Sequence, residues 1–416
     1  MISNLIRSIN YDWLGVLLGL IASTLVLGGV LPLNSLYYCI IILIAMLSII
    51  RGKRINVILL LFPLCLLIGL IINLPPSYFR SWERFGAFMM LYIATMPVFS
   101  SKALNKMHLQ LFRTLLIISV IIGVGSFLAY FLGINLMRRG GEADFGVDEV
   151  GKFGGLACHS MILGPLAAIT TSVLTHKSMI SVNRKKKIVY CILAIISACS
   201  MFLSASRGSV LSCLVSLLVL VIVNCYGKTS KLIKTIIISI TIIVASFPVY
   251  APILVAVIAK QEFNNRAGGA TSSRAQRWEH RLIEFSDNPI FGIGFSSMDP
   301  QYSKEFDKVT GVMEPGSSWL VILSQTGLVC AIIIFGVVIK VFRSLYKLAT
   351  KQKQAYSALL LAILSFFTVH FIAEGYIYAA GSFLCLMFWT TLGCAYTHIS
   401  TKYQKYDINI WTPKPI

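Results

Sequence analysis

The sequence predicts an all-α fold, a polytopic helical membrane protein with about 12 transmembrane helices. Three observations carry this. Of 416 residues, 57% are hydrophobic and only 12% charged, with a mean hydropathy of +0.81. A soluble domain is about 25% charged and has no core able to hide so much apolar surface. The apolar residues fall into runs near the ~20 that a bilayer demands, and none alternates with the period of two expected of a membrane barrel. The net charge of +20 is spread through short breaks between those runs, whereas a nucleic-acid binder gathers its charge on a soluble domain.

Candidate spans lie near residues 12–31, 35–50, 55–74, 85–99, 109–133, 156–175, 188–205, 209–226, 232–258, 318–341, 355–373 and 377–398. The first has no small-residue cleavage site and more membrane follows it, so it reads as a retained span. Arg51, Lys53 and Arg54 part the second from the third, and Arg80 and Arg84 the third from the fourth. Lys102, Lys106 and Arg113 mark the entry to the fifth, and the Gly- and charge-rich residues 134–155 follow it. Lys177 and Arg184 to Lys187 precede the seventh, SASRGSV joins it to the eighth, and Lys228, Lys231 and Lys234 precede the ninth. Residues 259–317 form the one extended hydrophilic stretch, and Lys340 to Lys353 separate the tenth span from the eleventh. The chain thus divides into N-terminal helices (1–133), central helices (134–258), a large outer loop (259–317) and C-terminal helices with a tail (318–416).

Basic residues stay on the cytoplasmic side of a membrane. One set of alternate breaks holds 23 basic residues against two acids, Asp12 and Asp407, so both termini are expected to be cytoplasmic. The other set is nearly neutral, with 13 basic and 14 acidic residues, and 9 of its 13 are Arg where the inner set has 6 Arg in 23. Arginine set against the topology gradient suits a planar fork that binds phosphate, with salt bridging to the outer acids as the competing reading.

Several outer residues could carry chemistry. Arg207 in SASRGSV sits at the hydrocarbon edge between two spans, where an Arg is costly, although snorkelling to the interface also accounts for it. In SSRAQRWEHRLIEFSDNP, Arg274, Arg277 and Arg281 recur every three or four residues on a predicted amphipathic helix, with His280 among them. Ser272 or Ser273 is expected to cap that helix, Asn288-Pro289 to stop it, and Trp278, Leu282 and Phe285 to form its apolar face on the membrane surface. A solvated mixed-charge face is the alternative for the stripe. Glu314, before Pro315-Gly316, is a candidate general base or a plain turn residue. His370 and Glu374 are four apart beside an outer turn and read as a structural pair or a substrate contact, while Arg138 and Arg139 open the Gly-rich segment. The 10 cysteines have no metal-ligand spacing, and with no Walker loop, dinucleotide fingerprint or HExxH, neither metal nor cofactor is expected.

In pattern and order these segments resemble the superfamily of O-antigen ligases and Wzy-type polysaccharide polymerases, membrane glycosyltransferases of the GT-C class. GKFGGLACHSMILGPLA is similar to the family's Gly-rich outer segment and SASRGSV to its Ser-Arg-Gly motif. SSRAQRWEHRLIEFSDNPIFGIGFSS resembles R-x-x-x-W followed by P-x-x-G-x-G, and SSWLVILSQTGLVC the closing segment. The resemblance implies transfer of a glycan from undecaprenyl pyrophosphate to a sugar hydroxyl at the periplasmic face of a bacterial inner membrane, with inversion and without metal. It implies that Arg207 and Arg274 bind the donor pyrophosphate, with Arg277, Arg281, His280, Arg138, Arg139, His370 and Glu374 further candidates for the substrate. A chain-length-determining co-polymerase is the protein partner it suggests.

One departure decides between members. Ligases carry a His-Asn pair where this chain has Gly316 and Ser317, so the expectation moves to a polymerase, with Glu314 as base. The alternatives are a ligase acting on lipid A core and, from another class, a lipid-linked oligosaccharide transporter or flippase. A transporter sets its charges near the bilayer midplane; here nearly all lie at one surface.

Overall fold

The computed structural model describes residues 11–27, 33–136, 153–228, 230, 270–299, 301 and 316–400, with side chains from 275 onward in the helix that starts at 270. The predicted span at 232–258 and the positions Arg138, Arg139 and Glu314 lie outside these residues. The described part is helical apart from one two-residue β ladder and a short 3₁₀ turn. The helices are α1 (Asp12–Val26), α2 (Asn34–Arg51), α3 (Val57–Asn73), α4 (Ser81–Thr95), α5 (Lys102–Phe131), α6 (Ser160–Ile180), α7 (Arg184–Leu203), α8 (Arg207–Asn224), α9 (Ala270–Asp287), α10 (Ser318–Lys351), α11 (Ala355–Ala373) and α12 (Phe383–Ser400). Among them α2, α5, α7, α8, α10 and α11 are long and apolar enough to cross a membrane, and α1 and α3 are shorter apolar helices.

Polar caps set the starts. Asn56, Ser101 and Asn183 accept backbone N–H bonds from the first turns of α3, α5 and α7. The surface is apolar where α2 and α7 face outward, as with Met46 at 54% exposure and Ile195 at 60%, while Ser, Thr and His side chains are buried inside. That distribution reverses a soluble protein's and suits a lipid surround. At the centre, Trp389 of α12 packs among Phe62, Phe88, Tyr92 and Phe388, and its indole donates to the Ile377 carbonyl at 2.9 Å.

The two ends of the bundle differ. At one end Arg54-Ile55 (β1) pair antiparallel with Phe99-Ser100 (β2), Lys106 bridges Asp12, Arg51 donates to the Tyr11 hydroxyl, and Lys353 and Lys340 lie over Tyr226 and Tyr396. Arg51, Arg54, Lys106, Lys340 and Lys353 of the inner set therefore lie at that end. A 30-residue helix such as α5 is about 45 Å long, so its Phe131 end lies far from its Lys102 end. At that far end the Gly-rich segment closes the bundle: the Gly154 N–H donates to Asn135, Leu156 to Ser126, and Cys158 to the Val26 carbonyl.

Two expectations need correction. The last span starts at Phe383, because residues 374–382 form a turn. The loop helix starts at Ala270, ahead of Ser272 and Ser273, and ends at Asp287 as Asn288-Pro289 requires. Within it Arg281 and Glu284 are 2% exposed, whereas Leu282 of the apolar face is 51% exposed.

Candidate functional site

The Ser-Arg-Gly turn is held from three sides. Ala205 takes a left-handed φ of 51°, Ser206 stands at the N-cap, and Arg207 opens α8 with its side chain exposed. From α6, Gly164 lets the turn approach, since a Cβ there would stand 2.6 Å from Ser206 Cβ and 2.8 Å from Ser209 Oγ. From α11 comes a run of polar contacts. The Ser206 and Ser209 hydroxyls are 2.8 Å apart, Ser209 Oγ is 3.3 Å from His370 Nε2, and His370 Nδ1 is 2.8 Å from the Tyr376 hydroxyl. Desolvation, strengthened by the nearby Glu374 carboxylate, raises the Tyr376 hydroxyl well above its ordinary value, so it stays protonated. Phe366 stacks on the His370 ring at 5.2 Å. Beside Arg207 runs a groove of about 260 Å³ whose other members are Phe202, Ala205, Ser206, Val210, Leu211 and Leu214. A cation at a helix N-terminus thus adjoins an apolar channel, an arrangement that favours an anion attached to a hydrocarbon chain.

The end of α11 also anchors α10. Ser317 Oγ donates to the Phe371 carbonyl at 3.0 Å, the Ser318 N–H donates to the Glu374 carbonyl at 3.0 Å, and Trp319 donates to Thr368 at 2.8 Å. One residue earlier, Gly316 has a φ of 73°, and a Cβ on it would stand 3.0 Å from Arg277 Cβ. Trp278 reaches the same glycine, its indole N–H 3.4 Å from the carbonyl. Arg207, His370, Gly316 and the Arg277 face of α9 are therefore joined at one end of the bundle through the end of α11.

The segment after α9 is wedged into a break in α10. Gly327 is non-helical inside that helix, with φ 69° and ψ −177°. The carbonyls freed by the break are taken by Pro289–Gly294: Ile293 N–H donates to the Ser324 carbonyl and Gly294 N–H to that of Gln325, while Leu328 N–H donates back to Pro289. The Gln325 side chain accepts from Ser296 N–H and donates to the Ser297 carbonyl. Under this wedge Arg281 Nη1 is 2.8 Å from Glu284, 3.3 Å from the Ser297 carbonyl and 3.4 Å from Ser324 Oγ, and the other Glu284 oxygen accepts from Asp299 N–H at 2.9 Å. A buried ion pair survives only when its remaining hydrogen-bonding capacity is met, and the wedge meets it.

This Arg-containing turn, the loop helix and its wedge, and the broken helix all fall within one stretch of chain. Residues 192–335 match the O-antigen ligase family. The match supports the superfamily of O-antigen ligases and Wzy-type polymerases for a membrane protein of this architecture, and with it a glycosyltransferase-like activity. No curated protein matches the chain. The O-antigen ligase match runs from within α7 through the first half of α10, so it takes in Arg207, Arg277 and the wedge and leaves His370 and Tyr376 outside.

Of the residues singled out in the sequence, Arg207 is exposed at the groove and Arg277 lies half-buried against Gly316. Arg274 lies on the same helix one turn earlier, and His280 is half-buried there. Arg281 points inward and holds the wedge, whereas Arg277 lies against Gly316. His370 is brought to the Ser-Arg-Gly turn and Glu374 to the start of α10. Ser209 and Tyr376 were missed. The only signals in the sequence are a serine two residues after Arg207 and a tyrosine two after Glu374.

Proposed function

We propose that this protein is a polysaccharide polymerase that moves a glycan from undecaprenyl pyrophosphate to a sugar hydroxyl of a lipid-linked repeat unit at the periplasmic face of the inner membrane. The observation that carries the reading is Arg207, exposed at the N-terminus of α8 beside the apolar groove. The cation and helix dipole match the pyrophosphate, and the groove matches the start of a polyprenyl chain. In the reaction the acceptor hydroxyl attacks the anomeric carbon from the side opposite the pyrophosphate, which leaves with inversion as it gains charge. Arg207 and Arg274 stabilise that charge without a metal, and Glu314 takes the hydroxyl proton. Arg277, Arg138, Arg139, His280, His370 and Glu374 line the donor and acceptor paths in this reading. Twelve spans with both termini cytoplasmic set the site on the outer face.

Gly316 favours the polymerase over the ligase. The left-handed backbone strains any residue with a side chain there, and a Cβ would stand 3.0 Å from Arg277 Cβ, so a histidine fits poorly at the place where ligases carry one. Ser317, at the following position, is committed to the Phe371 carbonyl and the α10 cap.

The test is purified full-length protein incubated with lipid-linked repeat units, its products resolved on a gel. Wild type extends the chain, while Arg207→Ala, Arg274→Ala and Glu314→Gln insert in the membrane but give no ladder. Unchanged ladders in all three variants overturn the site assignment. Product formed only when lipid A core is added turns the reading to a ligase.

A further inference from the structure

A second cavity, of about 420 Å³, lies at the basic end of the bundle, away from the Ser-Arg-Gly turn. It is framed by the β1–β2 ladder and by the starts of α3 and α5 and the end of α12. Its polar wall includes Arg54, Asn56, Ser100, Asn105, Tyr396, Thr397 and Ser400, with no carboxylate among the described residues that line it. Asn56 ties the frame together: its amide donates to the Tyr396 hydroxyl at 2.9 Å, its carbonyl oxygen caps α3, and its backbone N–H donates to Val98 at 2.8 Å. The Tyr396 hydroxyl accepts that bond and keeps its own proton to donate. Lys340 places a second cation 5.3 Å from the Tyr396 ring centroid. Ser100, Thr397 and Ser400 add hydroxyl-bearing side chains to the wall that holds Arg54.

The other wall is apolar and continues onto the lipid-facing surface. Ile55, Val57 and Ile58 are 61%, 63% and 50% exposed, and Leu61, one turn on from Ile58, is 43% exposed. The cavity therefore has a cationic polar half and an apolar rim, in the size range of small-molecule sites.

We infer that this cavity binds a diacyl phospholipid with an anionic, hydroxyl-bearing headgroup of the phosphatidylglycerol type. Arg54 meets the phosphodiester through its planar fork, with the Tyr396 hydroxyl beside it. The headgroup hydroxyls pair with the Ser100, Thr397 and Ser400 side of the wall, and the acyl chains lie along Ile58 and Leu61. A zwitterionic choline headgroup matches less well, because it adds a cation to a cationic pocket and has no hydroxyl for that wall.

The test is native mass spectrometry of the full-length protein in a neutral detergent, titrated separately with phosphatidylglycerol, phosphatidylcholine, glycerol 1-phosphate and inorganic phosphate. Wild type retains phosphatidylglycerol in preference to phosphatidylcholine. Arg54→Gln lowers that retention by about tenfold or more, the loss expected for one charge-assisted contact. Lys53→Gln, which removes a neighbouring exposed charge outside the cavity, leaves it unchanged. Equal losses in Lys53→Gln and Arg54→Gln overturn the site in favour of diffuse charge attraction. Retention unaffected by Arg54→Gln overturns it outright. Binding of glycerol 1-phosphate or inorganic phosphate as tight as that of the lipid overturns the lipid as occupant.

Discussion

Replacing Arg281 with Met keeps the bulk of the side chain and removes its charge, which strands the Glu284 carboxylate in the wedge. Glu284 then retains only the Asp299 N–H of its present partners, at 1% side-chain exposure. Breaking one side of a buried pair costs about 3–5 kcal/mol, because the remaining charge is uncompensated. The Ser297 carbonyl and Ser324 hydroxyl lose a donor as well. The penalty falls on the wedge, whose other attachments to α10 include the backbone bonds of Ile293, Gly294, Leu328 and Val329 and the two bonds of the Gln325 side chain. If it is expressed as local opening, the open population rises by about two to three powers of ten, at 1.4 kcal/mol per tenfold. Hydrogen–deuterium exchange on residues 289–299 in detergent reads this directly. Arg281→Met speeds exchange there by that factor and leaves α11 and α12 protected. The double variant Arg281→Met/Glu284→Leu recovers most of the protection, since an apolar pair of similar volume replaces an ion pair without a stranded charge. Exchange within about threefold of wild type in the single variant, or a double variant worse than the single, refutes the account of the pair as the wedge's anchor.

Arg207→Lys keeps the charge but loses the bidentate fork, so ladder formation falls by about ten- to a hundredfold with thermal stability unchanged; equal activity in the two proteins refutes the role of the fork. Ser209→Ala and His370→Ala each cut the contacts that hold the Ser-Arg-Gly turn, and both raise the KM for the lipid-linked donor several-fold, the effect of about 1 kcal/mol of lost positioning. In combination they add nothing further, and additive losses count against a single network. Gly327→Ala sets a methyl 2.2 Å from where the Ile290 carbonyl oxygen lies, at a φ of 69°, so the yield of folded protein collapses; near-normal yield by size-exclusion chromatography contradicts the break. Gly316→His introduces the ligase-type residue into a strained position against Arg277, and it lowers thermal stability without creating transfer to lipid A core.

Much of the architecture was legible because membrane insertion acts locally. A lipid surround demands ~20 apolar residues for each crossing whatever the neighbours do, so the helices lie where the apolar runs are, shifted by a turn or less at most ends. The Asn288-Pro289 stop was local in the same sense. Burial in the loop helix is not set by hydrophobicity. Helical spacing put Arg281 on one stripe with Arg274 and Arg277, but the wedge offers carbonyls, a hydroxyl and a backbone N–H at one spot, and that supply turns the Arg281–Glu284 pair inward. The long α10 was predicted as one span with no sign of its break, since Gly327 in an apolar run is tolerated either way until a partner segment takes the freed carbonyls.

By itself the sequence determined that the chain is built of many apolar helices suited to a membrane, and it set two expectations: which face carries the positive charge, and that arginines set against that gradient mark the site. Each follows from residue chemistry acted on by the lipid, without reference to distant parts of the chain. Tertiary structure alone decided which arginine is exposed and which is spent on the fold. It also brought His370 to Ser209 across 161 positions and opened the apolar groove beside Arg207. Those outcomes depend on how α6, α8, α10 and α11 pack at one end of the bundle, where contacts between distant residues outweigh the local pattern.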